Sequence, residues 1–465
     1  MLNRTTHPGP ERPLRILQFG GGNFLRAFTD WMIDELNAQT DFNGAVAIVK
    51  PTERGDYTEL RQQDGLFTLA LDGIRRGELV TDRRVVRSVQ QVIQPYTQRA
   101  DYLALAELDT LRFVISNTTE AGIRFRPEPW PEEGMPREFP AKLTGWLHHR
   151  FRHFAGDPDR GCILLPLELI EDNGAALRDC VLQYAEHWGL GGDFARWVRE
   201  HNYFGNTLVD RIVSGHPGAE RAAELAAEFG VDDPLLVAGE VYHSWVIAGP
   251  DQIRRELPFD RTDLNVTFTD DLDAYREIKV RILNGAHTSI VPTGYLAGLD
   301  SVGAVMDDPA MSEFLEGVLY EEIIPSLDHP EEELRRFAAD VLDRFRNPSI
   351  HHKLLDISLN STSKFRTRLL PSLLAYREKT GELPPRIVRA LAALIRFYRG
   401  DRDGQPIPLR DEAERLEFFR QEWAREQPLE LLAARVLGRT DWWGRDLRDV
   451  PGLTAAVTAE LAKLV

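Results

Sequence analysis

The sequence predicts an α/β protein in two parts, a parallel-sheet domain over residues 1–268 and a mostly α-helical domain over residues 269–465. Three observations carry this. Apolar, β-branched runs alternate with helical patterns through the first half, and strand-helix-strand alternation favours a parallel sheet. Helical periodicity with few β-branched runs dominates the second half. Between the first apolar run and the first helical pattern stand Gly20, Gly21 and Gly22, where a Rossmann-like domain receives the pyrophosphate of a dinucleotide.

Leu14–Phe19 (LRILQF) reads as a short buried strand. The helix after the glycines places Phe24, Phe28, Trp31 and Leu36 on one side and a polar face of Arg26, Asp30, Asp34 and Glu35 on the other. Ala45–Val49 is a second strand, and Arg112–Ser116 and Gly161–Leu167 are two more. The polar, Pro-rich stretch Arg126–Pro140 reads as a surface excursion. In the second half, Asp273–Leu283, Met311–Leu327, Glu331–Phe345, Arg386–Arg399 and Asp411–Glu426 carry helical spacing.

Composition excludes several classes. Lys and Arg number 56 against 73 Asp and Glu, a net charge of −17. That balance disfavours non-specific binding to nucleic acid or to an anionic membrane surface, and leaves room for local cations that hold an anionic small molecule. Cys162 and Cys180 are the two cysteines, too few for a disulfide framework or a cysteine-built metal centre. No signal-like N-terminal segment and no apolar run of membrane-span length is present, so a cytoplasmic enzyme is expected. Oligomeric state is left open.

Two segments can carry chemistry. Gly20 to Ala27 reads G-x-G-x-x-x-x-A. Glycines there let a backbone approach a pyrophosphate, and the helix N-terminus offers N–H groups to it; the plainer reading is a tight turn that binds nothing. The second strand ends in Lys50-Pro51, without the acid that usually marks NAD preference. The other segment is Lys279-Val-Arg-Ile-Leu-Asn284-Gly-Ala-His287. In an α-helix Asn284 and His287 project about 140° and about 80° from Lys279. Lysine, carboxamide and imidazole on one broad face suit carbonyl reduction, with the lysine exchanging the hydroxyl proton and the other two bonding the oxygen. Spacing alone favours a plainer reading: a solvated lysine, a helix-ending Asn-Gly and a histidine at the core edge.

Lookalikes are set aside on their surroundings. Ser361-x-x-Lys364 and Lys379-Thr-Gly381 lie too close together, in a helical region, for a penicillin-recognising site. His149 and His153 lack the intervening Glu of a zinc helix; His351-His352 is a similar case. Asp210-Arg211 reads as a structural ion pair. Lys364, Arg366 and Arg368 form a basic cluster that is either a solvated face or a carboxylate site.

ILQFGGGNFLRAF, FVISNTTEAG, NTLVDRI and KVRILNGAH occur in this order, with YEEIIPSLD, RFRNPSIHHKLL and TSKFRTRLLP further on. Together they resemble the mannitol dehydrogenase family of long-chain polyol dehydrogenases over essentially the whole chain, and SKFRTR points to its uronate branch. The resemblance implies a metal-independent, NAD-linked oxidoreductase whose small-molecule substrate is a hexuronate, with D-tagaturonate reduced to D-altronate in a cleft between two domains. The rivals are another ketouronate, an uncharged hexitol, or a non-catalytic dinucleotide-binding regulator. The implied catalytic set is Lys279 as general acid/base with Asn206, Asn284 and His287 at the reacting oxygen. The implied cofactor segment is Ile16, Leu17, Gln18, Phe19, Gly20, Gly21, Gly22, Asn23, Phe24, Leu25, Arg26 and Ala27, joined by Ser116, Asn117 and Thr118. Glu120 is implied at the substrate, and the basic cluster offers Lys364 and Arg366 for the carboxylate of a uronate. The Lys50-Pro51 ending agrees with the uronate branch, so NAD is kept.

Overall fold

The computed structural model describes residues 2–119, 121–350 and 352–465. The chain forms two compact units. One comprises the residues up to Asp72 together with Val80–Leu272, and the other comprises Gly73–Leu79 and Asp273–Val465.

The first unit is built on six strands: β1 (Leu14–Phe19), β2 (Ala45–Val49), β3 (Val89–Ile93), β4 (Phe113–Ser116), β5 (Ile163–Pro166) and β6 (Tyr203–Phe204). Their order is β3-β2-β1-β4-β5-β6, every neighbour parallel. This is the doubly wound order, whose direction of travel reverses between β1 and β4. The alternation of side chains explains why both faces are covered. Ile16, Ile48, Phe113, Ile115 and Leu165 enter one core, with Leu25, Phe28, Met32 and Leu36 of the first helical segment. Leu17, Phe19, Val49, Val114 and Leu164 enter the other, with Leu143, Trp146, Val181 and Trp197 of later helices. A parallel sheet needs this double cover.

Two smaller sheets surround it. Phe67–Arg75, Glu78–Val86, Val213–Gly215 and Val237–Glu240 make one of four strands, and Asn206–Asp210, Ser244–Ala248 and Val266–Thr269 make one of three. The tip of the Phe67–Val86 hairpin belongs with the helical unit, where Gly77 N donates to Asp343 Oδ2 at 3.3 Å.

The second unit is helical around one core. Gly285–Leu296 runs through its middle and is buried on nearly every side, as expected of a helix apolar all round. Glu331–Phe345, Ser361–Arg368 and Pro385–Phe397 belong to the same unit. Among the described residues no helix is long and apolar enough to cross a membrane.

Candidate active site

β1 runs directly into the glycine turn. Gly20 has φ +117°, a conformation that glycine adopts without steric cost, and a Cβ there would sit 2.9 Å from Leu25 Cδ1. Gly20 N donates to Val49 O at 3.0 Å, and Gly21 N to the Tyr57 hydroxyl at 2.8 Å. Around Gly22 the space is open, with nothing within 4 Å of a built Cβ. The helix starts at Asn23, and Asn23 and Gly22 are exposed. A helix N-terminus leaves N–H groups unpaired, so Gly22, Asn23 and the half-buried Phe24 form the open end of the turn. The space fits a phosphate where a side chain would block it.

The rest of this segment shapes the turn from within. Ile16, Leu17, Phe19, Leu25 and Ala27 are core residues. Gln18 Nε2 donates to Gly20 O (3.1 Å) and Asp30 Oδ2 (3.3 Å), and its Oε1 accepts from Thr29 Oγ1 (3.0 Å). Arg26 and Asp30, expected on a polar outer face, are buried. The reason is a π-turn at Arg26–Asp30 inside the helix, which re-aims side chains relative to α-helical spacing. Arg26 bonds the carbonyls of Gly21 and Leu235 and Asn23 Oδ1. Burial pushes the Asp30 carboxyl up to about 7.

β4 ends beside β1, with Ser116 opposite Phe19. Glu168, just past β5, gathers this edge. It accepts from Ser116 Oγ (3.0 Å) and from Thr118 N and Oγ1 (2.9 Å each). Burial raises the Glu168 carboxyl and these bonds oppose the rise. Asn117 N reaches Phe19 O at 3.4 Å. Glu120 lies outside the described residues.

Asn206 opens a strand of the three-stranded sheet. Its Oδ1 accepts from Gly174 N (2.9 Å) and Ala175 N (3.1 Å), the first turn of the helix Asn173–His187. The amide is thereby oriented, with Nδ2 turned outward to Asp172 Oδ1 at 3.2 Å. Buried Asn173 ties the same corner to Thr207 through Thr207 N→Asn173 Oδ1 (2.8 Å).

In the helical unit, Lys279–Asn284 is a π-turn between Leu272–Ile278 and Gly285–Leu296. The i→i+5 register of a π-turn turns less per residue than an α-helix does. Lys279 and Asn284, five apart, therefore lie much closer in azimuth than the expected α-helical 140°. His287 follows on the next turn. Its Nε2 is buried and, among the described residues, has no hydrogen-bond partner. Its ring lies 4.3 Å from that of Phe345 and 5.5 Å from that of His352. Burial, then the charges of His352, Arg344, Arg368 and Lys364, hold the imidazole well below its usual range, so it is neutral at pH 7.

The basic cluster divides. Lys364 and Arg368 are one helical turn apart and both act on His287. Arg368 Nη1 lies 3.4 Å from Thr288 Oγ1, and Lys364 Nζ donates to Ile357 O at 2.6 Å. Arg366, expected at the substrate, points the other way, because the second residue on a helix turns about 200°. It is exposed, and a Cβ on Gly444 would lie 3.1 Å from its Nη2.

Residues 14–261 match the mannitol dehydrogenase Rossmann domain and residues 271–465 the mannitol dehydrogenase C-terminal domain. The chain belongs to the mannitol dehydrogenase family. An altronate oxidoreductase of Yersinia enterocolitica is 49% identical over 100% of this chain and 97% of its own. One from Klebsiella pneumoniae is 47% identical over 99% and 96%. A substrate-free D-sorbitol dehydrogenase shares the fold at TM-score 0.78 and 20% identity, covering 99% of this chain and 97% of that one. Mannitol 2-dehydrogenase of Pseudomonas fluorescens, solved with NAD and D-mannitol, does so at TM-score 0.63 and 22% identity, covering 100% and 96%.

In this mannitol dehydrogenase family chain, sequence reasoning missed Tyr57, Glu168, Asn173 and Arg344, which act on other site residues from distant positions. Glu168 alone carried a local signal, an acid two residues past the end of a buried strand. The lookalikes have plain partners. Ser361 Oγ donates to Ser358 O, and Lys379 Nζ to Asp328 Oδ1. His149 Nε2 lies 2.8 Å from Glu107 Oε1. Arg211 bonds the carbonyls of Tyr242, Ala27 and Val241 and stacks on Trp31. His351 lies outside the described residues; among those described, no group of three or more His, Cys, Asp or Glu could hold a metal ion.

Proposed function

We propose that this chain is an NAD-dependent ketouronate reductase that interconverts D-tagaturonate and D-altronate without a metal. The observation that supports it is the π-turn that spans Lys279 to Asn284, beside a neutral His287 in a cationic wall. The near-half identity to altronate oxidoreductases over the whole chain favours this sugar acid over a hexitol. Residues 1–268 serve the dinucleotide and residues 269–465 the substrate.

The glycine turn holds the pyrophosphate at Gly22, Asn23 and Phe24, with Ser116, Asn117 and Thr118 on the adjoining edge. Bound NADH supplies the hydride for the ketone carbon. Lys279, as the ammonium, donates a proton to the ketone oxygen as it becomes an alkoxide. Asn284 and the outward Nδ2 of Asn206 hydrogen-bond that oxygen. His287, neutral, bonds the substrate without adding a charge. In the reverse direction the neutral Lys279 amine takes the hydroxyl proton of D-altronate. Glu120 is proposed at the substrate on family likeness, and Lys364 on its place beside His287. We place the reaction in the cytoplasm, in keeping with two free, buried cysteines.

The test is NADH consumption with D-tagaturonate, D-fructuronate and D-fructose. Tagaturonate is expected to be fastest. Faster turnover of fructuronate or fructose would displace the sugar assignment, and consumption with none would favour a non-catalytic dinucleotide-binding protein.

A further inference from the structure

Arg368 is a half-buried guanidinium at the end of the helix Ser361–Arg368. Of its five N–H groups, the hydrogen bonds among the described residues use one, at 3.4 Å to Thr288 Oγ1. The Thr288 hydroxyl in turn donates to Asn284 O at 2.8 Å. The guanidinium is thus tied to the turn that carries Asn284. Burial lowers its proton affinity, and no carboxylate among the described residues opposes this. Other enclosed arginines are held more fully: Arg150 and Arg211 by several backbone carbonyls, and three more by carboxylates. Arg112 is clamped on Glu256 by two bonds of 2.6 and 2.8 Å. Arg281 has Glu277 at 2.9 Å, and Arg415 has Asp411 and Glu412.

Neighbouring charges add to the imbalance. Arg344 is almost fully enclosed, one residue before the Phe345 ring that packs on His287. Arg344, Arg368 and Lys364 press on the same imidazole with positive charge, and the His352 ring stands beside it. Asp340 lies near Arg344, Asp356 near His352, and Asp411 near Lys364; among the described residues Arg368 has no such counter-charge. A partly desolvated cation without a partner is costly to keep. The planar fork of arginine matches a carboxylate bidentately.

We propose that Arg368, backed by Arg344 and Lys364, binds the carboxylate of the substrate and makes this pocket select a sugar acid over an uncharged hexose or hexitol. The inference rests on the reading of the chain as a ketouronate reductase, and it assigns the acid end of that substrate to a residue of this chain. A six-carbon hydroxy acid then lies with its carbonyl at Lys279 and Asn284 and its carboxylate at Arg368.

The experiment compares D-altronate, D-mannonate and uncharged D-altritol as substrates for NAD reduction by the wild type, Arg368→Gln, Arg368→Lys and Arg366→Gln. Arg368→Gln should raise KM for the hexonate about ten- to a hundred-fold, with kcat within a few-fold and altritol unchanged. Arg368→Lys should recover part of the loss, because it restores charge without the fork. Arg366→Gln should move acid and polyol alike, and little. Equal losses on hexonate and altritol in Arg368→Gln, or an acid-selective loss in Arg366→Gln, would overturn the assignment. If Arg368→Gln does not fold, Arg368→Lys decides: an acid-selective rise in KM supports the proposal and an equal loss refutes it. A wild type that oxidises mannonate but not altronate would sink the sugar assignment and leave the arginine to be read on mannonate. A wild type that prefers altritol to both acids would sink the arginine assignment.

Discussion

The glycine turn after β1 and the Lys279–His287 turn of the helical unit both adjoin a π-turn, yet their polar groups are settled differently. At the glycine turn itself the protein meets its own needs, although further along the same segment Asp30 Oδ1 is buried without a hydrogen-bond partner among the described residues. Gly21 N is taken by Tyr57, Gly20 O by Gln18, and Arg26 by two carbonyls and Asn23. What faces outward is backbone and space at Gly22. Around His287 the protein leaves needs unmet: among the described residues Nε2 is enclosed and unpartnered and Arg368 has no counter-charge. The first region is finished as a shape, which suits a ligand that is the same in every turnover. The second keeps polar groups whose hydrogen bonds a substrate can complete, which is what a transition state can use.

The largest effect that would break this comparison lies in the second region. Lys279→Ala should lose at least about two decades in turnover, the lower range of general acid catalysis, while NADH binding is retained. Asn284→Ala should lose a comparable amount. Because both act on one oxygen, the double variant should lose less than the product of the single losses. Single-turnover hydride transfer from NADH deuterated at the transferred position reads the chemical step. A wild-type rate in Lys279→Ala would remove the lysine from the mechanism.

The next effect separates shape from space within the first region. Gly22→Val should raise KM for NADH about tenfold or more with the melting temperature unchanged, because the built side chain enters open space. Gly20→Val should instead lose stability by about 1–3 kcal/mol or more, since it forces φ +117° on a β-branched residue against Leu25. Melting curves beside NADH titrations distinguish the two. The same outcome for both variants would mean the turn is one rigid block.

The contrast also marks what the sequence could say. β1, the glycines and the following helix were legible because burial and turn chemistry leave periodic signals in consecutive residues. The helix Glu331–Phe345 was legible to its ends for the same reason. The π-turns were not, since an i→i+5 register has no compositional mark. That is why Arg26 and Asp30 were expected outside and Lys279 and Asn284 farther apart. The strands Asn206–Asp210 and Ser244–Ala248 pair across 34 or more residues and were not foreseen. Choosing Arg368 over Arg366 needed the helix azimuth and the neighbour Thr288. Glu168 and Tyr57 act through contacts 50 and 36 residues away, which one sequence does not reveal.

A smaller effect tests how complete the first region is. Asp30 holds its proton up to about pH 7 in the folded chain, whereas an unfolded aspartate releases it near pH ~4. Between these values the folded state binds more protons than the unfolded one, so this group lowers stability as pH rises from about 4 to about 7. The lost stability is regained on acidification through the same window. Asp30→Asn should flatten that dependence, read as urea midpoints at pH 5 and pH 8. An unchanged slope would mean the carboxylate is ionised in place.

The smallest expected effect is none, and it bears on the idea that side chains of the second region carry the chemistry without a metal. The best metal lookalike is on the first unit, where His149 and His153 flank Glu107, with contacts of 2.8 and 4.0 Å. All three are well exposed, at 35%, 41% and 44% of the side chain. Hydrogen bonding to His149 lowers the Glu107 carboxyl, as a solvated ion pair does. Among the described residues no group of three or more His, Cys, Asp or Glu is placed to hold a metal ion, and even a catalytic zinc takes three protein ligands. Dialysis against a chelator should therefore leave turnover unchanged, and His149→Ala should behave as the wild type with or without added zinc. Activity that falls on dialysis and returns with zinc would show that a metal shares the work assigned to Lys279. If His149→Ala abolished that return, the metal would sit at this surface cluster, and the division of labour drawn between the two regions would fail.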